Sequence, residues 1–152
     1  LAMVGVLSLV IQNIQAEYVS RNALIASQLA QEALELVKNK RDNNWLTPGN
    51  DWRLGAGAGT DSDFLQDGTY AVDYTETVYN AADINDPTAF LKLDSNGFYT
   101  NNPAAVSSTP FSRLVTVTAD TASSSSVSCL VRWRDRSNAY NYVADTILYD
   151  WR

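Results

Sequence analysis

Few residues in this chain can do chemistry. It contains no His and a single Cys, Cys129. The commonest general base, the commonest metal ligand and an intrachain disulfide are therefore all missing. The most concentrated set of ligand-type residues is Asp61, Asp63 and Asp67, followed by Gly68. Hard carboxylate oxygens in a short loop are what a Ca²⁺ site requires. The spacing is not that of an EF-hand, and Asp also serves loops through turn chemistry alone. The expected cofactor set is empty, with a loop calcium as the alternative. GAGAG at Gly55–Gly59 neither follows a clear strand nor opens a helix, so it reads as a flexible loop and not as a dinucleotide fingerprint. A phosphate loop of the Gly-x-x-x-x-Gly-Lys type is absent. Asp is abundant, so chance carboxylate pairs are expected, and no enzymatic activity is predicted.

Cys129 lies in VSCLVRWR. In a strand, Val127, Cys129, Val131 and Trp133 share one face, which makes Cys129 a small buried hydrophobe. Arg132 and Arg134 take the other face, with Arg136 just beyond. That row either binds phosphate or an acidic partner, or is a solvated face paired with this chain's own carboxylates. The Ser-rich stretch Thr121–Ser126 reads as a polar loop or a site for O-linked sugar, and no Asn-x-Ser/Thr sequon occurs. The net charge is −6. A diffuse electrostatic grip on DNA or anionic lipid is not expected, although a local basic patch is compatible with it. No specific nucleic acid partner is predicted.

The elements that carry these residues follow from pattern. The 152 residues suit one folded unit with a sizeable core. Leu1–Asn43 has no Pro and only Gly5, which predicts a long helix. Its first part, Leu1 to Ile11, carries no charge. That is about half the ~20 apolar residues a membrane span needs. No basic region precedes it, as a signal peptide would require. It reads as part of a membrane segment, as a helix buried by other proteins, or as an ordinary core helix. Further on, Ala16, Val19, Ala23, Ala26, Ala30, Ala33 and Val37 recur at alternating spacings of three and four, a stripe suited to packing closely on a sheet. Leu29, Leu34 and Leu36 widen it, and Asp42–Asn44 are expected to end it.

Residues 44–152 read as a β-sheet head. TYAVDYTETVY predicts a strand. AFLKLDSNGFYT predicts a hairpin turning at Asp94-Ser95-Asn96-Gly97. NNPAAVSSTP predicts a loop. RLVTVTA, VSCLVRWR and YVADTILYDW predict three successive antiparallel strands, joined by TASSSS and DRSNA. The fold class is therefore α+β: a long N-terminal helix on one face of an antiparallel sheet.

This order of elements resembles the type IV pilin and pseudopilin family over nearly the whole chain. The resemblance is carried by SQLAQEALELVKNKRDNNW (Ser27–Trp45), FLQDGTYAVDY (Phe64–Tyr74), LKLDSNGFYT (Leu91–Thr100), PFSRLVTVT (Pro110–Thr118) and VRWRDRSNAYNYVADTILYDWR (Val131–Arg152). The family's leader ending in Gly and its mature start with Glu at the fifth place are not present. Leu1-Ala2-Met3-Val4-Gly5 has no Glu, so the resemblance implies a natural start roughly a dozen residues upstream and an anchor long enough to span a bilayer.

The resemblance implies a structural subunit. Before assembly it sits in the inner membrane, processed by a prepilin peptidase and extracted by assembly machinery. Afterwards it packs its helix among copies of itself in an extracellular filament. The implied filament-core residues are Leu1, Met3, Val4, Gly5 and Val6, continuing through Leu7, Leu9, Val10, Ile11 and Ile14. Gly5 falls near the stretch that loses helical structure in several filaments of this family. Two readings stand: loosened helix somewhere within Leu1–Leu9 in the assembled filament, or an unbroken helix whose Gly5 permits close contact. The alternatives to a filament subunit are a minor pseudopilin of a secretion or DNA-uptake machine, and a membrane-anchored binding module that never polymerises.

Overall fold

The computed structural model describes residues 2–53, 65–105 and 107–150. The side chains of Ala2 and Val4 lie outside that description. One helix, α1 (Ala2–Leu46), precedes seven strands: β1 (Gly68–Val72), β2 (Val78–Asn80), β3 (Phe90–Leu93), β4 (Tyr99–Thr100), β5 (Ser107–Thr121), β6 (Ser124–Asp135) and β7 (Asn138–Tyr149). All pairings among them are antiparallel. The architecture is a long N-terminal helix packed on a curled antiparallel sheet, an α+β arrangement.

The sheet is organised by β5. Val115 pairs with Tyr70 of β1 and also with Cys129 of β6, and Ser112 pairs with Phe90 of β3 and with Arg132 of β6. So β1 and β3 share one edge of β5, end to end, while β6 and then β7 extend the other. Residues alternate across the sheet. The inner face carries Phe111, Val115, Val117, Val127, Cys129, Val131 and Trp133, all buried against α1. The helix answers with Ala26, Leu29, Ala30, Ala33, Leu34 and Val37. Small side chains at 26, 30 and 33 let its backbone approach the sheet closely. A smaller core of Ala71, Ala81, Ile84 and Leu114 forms on the outer face. The segment between β2 and β3 covers it, held by a 3₁₀ turn at Pro87–Ala89 that Asp86 caps through the Thr88 N–H.

Several boundaries differ from the sequence reading. The helix passes Asp42–Asn44 and ends at Leu46. Asn44 does not end it because its side chain is buried and donates to the Trp52 carbonyl (3.2 Å). Termination falls instead to Thr47, whose hydroxyl donates to the Asn43 carbonyl, and to the turn at Gly49 (φ +85°). TYAVDYTETVY is not one strand but a tight hairpin. The Asp73 carboxylate accepts from the Thr75 hydroxyl, the Asp73 carbonyl accepts from the Glu76 N–H (2.9 Å), and Glu76 takes φ +64°. Two short strands alternate in the same way as one long one, so the pattern concealed the turn.

The loops NNPAAVSSTP and TASSSS also shrink. Strand β5 begins at Ser107, and Pro110 fits within it because the β3 ladder is interrupted between Phe90 and Lys92 while the β6 ladder begins only at Phe111. Strand β6 begins at Ser124, and Ser124 and Ser125 are buried. Ser125 lies opposite both Ala119 and Leu148, where a small side chain fits between strands. The exposed residues left in that stretch are Thr121, Ala122 and Ser123.

Candidate functional site

Two ends of α1 meet different surroundings. Its C-terminal half is clamped to the sheet, with the Trp45 indole donating to Asp150 (3.0 Å) just beyond β7. Its N-terminal half projects free. Every residue from Gly5 to Ile14 is exposed, and Asn22 is the first buried side chain. Ala2 to Arg21 is twenty residues, ~30 Å of helix at 1.5 Å per residue. Met3 is 87% exposed, and Val6, Leu7, Leu9 and Ile14 each about 60%. Val10 and Ile11 are nearly half exposed. At 3.6 residues per turn these apolar side chains spread over more than half of the helix circumference, while Ser8 and Gln12, joined by a side-chain hydrogen bond, occupy the remaining side. An exposed apolar face that wide is one that lipid or other helices would bury.

Of the implied filament-core residues, Met3, Gly5, Val6, Leu7, Leu9, Val10, Ile11 and Ile14 therefore lie on one free rod. Leu1 and the Val4 side chain fall outside the described residues. The helix runs unbroken through Gly5, and no atom lies within 4 Å of where a Cβ there would sit. Of the stripe assigned to sheet packing, Ala26, Ala30, Ala33 and Val37 are fully buried, and Val19 and Ala23 are half-buried. Ala16 is exposed, a correction. The three-four repeat continues past the place where the sheet stops, and spacing alone carries no information about where a partner ends.

The sequence reading missed the residue that ties helix to sheet. Arg113 has no exposed surface. Its Nη1 donates to the Leu29 carbonyl and to Glu32 Oε1, both at 3.1 Å, and its Nη2 donates to the Val72 carbonyl at 2.5 Å. One guanidinium thus joins α1, β5 and β1. The signal was present: Arg113 shares the phase of Val115 and Val117 in RLVTVTA, so it had to point inward.

Cys129 is fully buried beside it, and burial pushes its thiol up to about 12, with the Arg113 charge opposing in part. Asp61 and Asp63 lie outside the described residues, as does Gly55–Gly59. Asp67 accepts a hydrogen bond from the Ala119 N–H.

A cleft of about 430 Å³ opens between the β1–β2 and β3–β4 hairpins and is bordered by Asp73 and Asp94. Both carboxylates are engaged by donors. Asp73 accepts from the Asn101 N–H and the Thr75 hydroxyl. Asp94 accepts from the Tyr74 hydroxyl (2.8 Å) and from the N–H groups of Asn96 and Phe98. The Tyr74 hydrogen bond, then that of Phe98, hold the Asp94 carboxyl below its usual range. These acids shape turns, including the expected one at Asp94–Gly97, where Gly97 has φ +84°.

No helix among the described residues is long and apolar enough to cross a membrane. No known protein family, curated protein or solved structure matches this chain.

Proposed function

We propose that this chain is a structural subunit of an extracellular, type IV pilus-like filament. The apolar end of α1 is held in the inner membrane before assembly and packed among the same helices of other copies afterwards. One observation carries the reading: an exposed helix rod, with apolar residues over more than half of its circumference from Met3 to Ile14, stands clear of the sheet on which the rest of α1 packs. Fully burying one Leu, Ile or Val contributes ~1.5–3 kcal/mol. Repeated along the rod and over neighbouring copies, that contribution holds a filament together without covalent links. Lipid offers the same burial, so one segment serves both states. A prepilin peptidase and membrane assembly machinery are the partners this route requires.

The test is to shear surface filaments from cells that express the chain and to identify their main protein. Long filaments built largely of this chain are expected. A trace amount confined to tips or short stubs would assign it to a minor pseudopilin role. Its complete absence from filaments, with the chain found only in the membrane, would reject polymerisation in favour of an anchored binding module.

A further inference from the structure

We propose that the cleft on the outer face of the sheet, between Phe90 and the pair Arg132 and Arg134, is a carboxylate-binding site, filled by an acidic side chain of a second copy of this chain. The chemistry of the site stands on its own residues; its source rests on the filament reading above.

The cleft measures about 320 Å³. Arg132 and Arg134 line it from β6, two residues apart and therefore on the same face. Arg132 is held from two sides. Its Nε donates to Asn141 Oδ1 of β7 (3.1 Å), and its Nη1 donates to Asn85 Oδ1 of the β2–β3 segment (3.2 Å). Both acceptors are amides, so they orient the guanidinium without neutralising it. An Asp at either place would present the same acceptor with a charge. The ion pairs among the described residues are Arg41–Asp42 and Arg113–Glu32. Among the described residues, no carboxylate lies within 4 Å of Arg132, Arg134 or the neighbouring Arg136. In a chain with 17 acidic and 11 basic residues, the row meets none of the described carboxylates.

What remains is a pre-oriented cation with uncommitted N–H groups. That arrangement suits the two-pronged geometry a carboxylate offers. Ser112, directly across the ladder from Arg132, adds a hydroxyl to the wall. Phe90, 46% exposed, supplies an apolar side for the methylene of an Asp or Glu.

Charge selects the source. At −6 the chain repels nucleic acid at long range. Another copy is equally acidic, but helix packing holds it close whatever its net charge. Its Asp and Glu side chains then reach the cleft at high effective concentration. Each such contact also relieves part of the repulsion between heads.

The experiment follows the arginine Nε–Hε resonances of the whole chain during titration with sodium acetate at constant ionic strength, with inorganic phosphate in a parallel arm. Acetate should shift Arg132 and Arg134. The Asn85→Asp variant keeps the acceptor for Arg132 and places a carboxylate in the cleft. It should bind acetate at least tenfold more weakly, with no loss of thermal stability. In assembled material, Asn85→Asp and the double variant Arg132→Gln/Arg134→Gln should fall apart at lower salt than wild type.

No acetate-dependent shift would overturn the site, and a markedly stronger response to phosphate would overturn its assignment to carboxylates. Acetate binding with unchanged salt sensitivity in the variant polymers would overturn the second copy as the source. So would normal assembly accompanied by cleft-dependent binding to phosphatidylserine vesicles. If wild type does not assemble at all, the filament reading falls and the proposed source with it, while the acetate titration still decides the site.

Discussion

Arg113 shows how one side chain organises this molecule. It enters from β5, fully buried, and reaches a helix carbonyl, a helix carboxylate and a β1 carbonyl at once. Glu32 is its single carboxylate partner among the described residues, and that side chain is 39% exposed. The two ends of the pair are therefore unequal. Removing Glu32 leaves a buried cation without a counter-charge, whereas a Glu32 left behind can be hydrated. Glu32→Ala should lower unfolding stability by about 3 kcal/mol, measured by urea titration, the lower end of the cost of breaking a buried pair because the site is partly wet.

Cys129 offers a second test. Its folded pKa of about 12 lies above the ordinary 9.0. The neutral thiol therefore favours the folded state fully below pH 9, and that contribution is lost as pH rises from 9 towards 12. Stability measured across that range should fall more steeply in wild type than in Cys129→Ala. Native protein should also resist alkylation at pH 8.

The helix α1 is one element under two regimes. From Asn22 onward its buried face is fixed by packing, whereas from Gly5 to Ile14, where every residue is exposed, intrahelical hydrogen bonds hold it. Local opening near Gly5 should therefore be uncoupled from global unfolding. A Cβ at Gly5 meets nothing within 4 Å. Gly5→Ala should slow amide exchange in residues 3–10 several-fold, matching the ~1 kcal/mol helix cost of Gly, and leave the urea midpoint unchanged. A shifted midpoint would mean that the free rod is packed in solution. In assembled material the same variant should hinder polymerisation if the filament needs a loosened helix there, and be neutral if Gly5 merely tolerates contact.

For the whole molecule, the head and the rod are separable in energy. Val10→Asp places a charge in the middle of the apolar rod, ~18 Å along the helix from Asn22 at 1.5 Å per residue. It should leave the thermal midpoint of the chain unchanged while abolishing polymer formation and detergent or lipid association, checked by sedimentation. The cost of a charge at the centre of an apolar environment is ~2.5–3.5 kcal/mol even on the mildest scale. Repetition in every copy makes it prohibitive for a filament.

The long helix, the three late strands, the inward phase of Cys129 and the outward phase of Arg132 and Arg134 were all legible as periodicities. Period is a local property, set by 3.6 residues per helical turn and two per strand repeat. Where a period meets a partner is not local. Ala16 continues the stripe yet faces solvent, because the sheet ends short of it. Arg113 broke the apolar alternation visibly, but its three acceptors come from segments 41 to 84 residues away in sequence. The same holds for the arginine cleft. Sequence placed two cations on one face, and folding surrounded them with Asn85 and Asn141 instead of carboxylates. Contact order separates the two kinds of knowledge: spacing within a segment dictates which side a residue faces, while the packing of distant segments decides what stands opposite it.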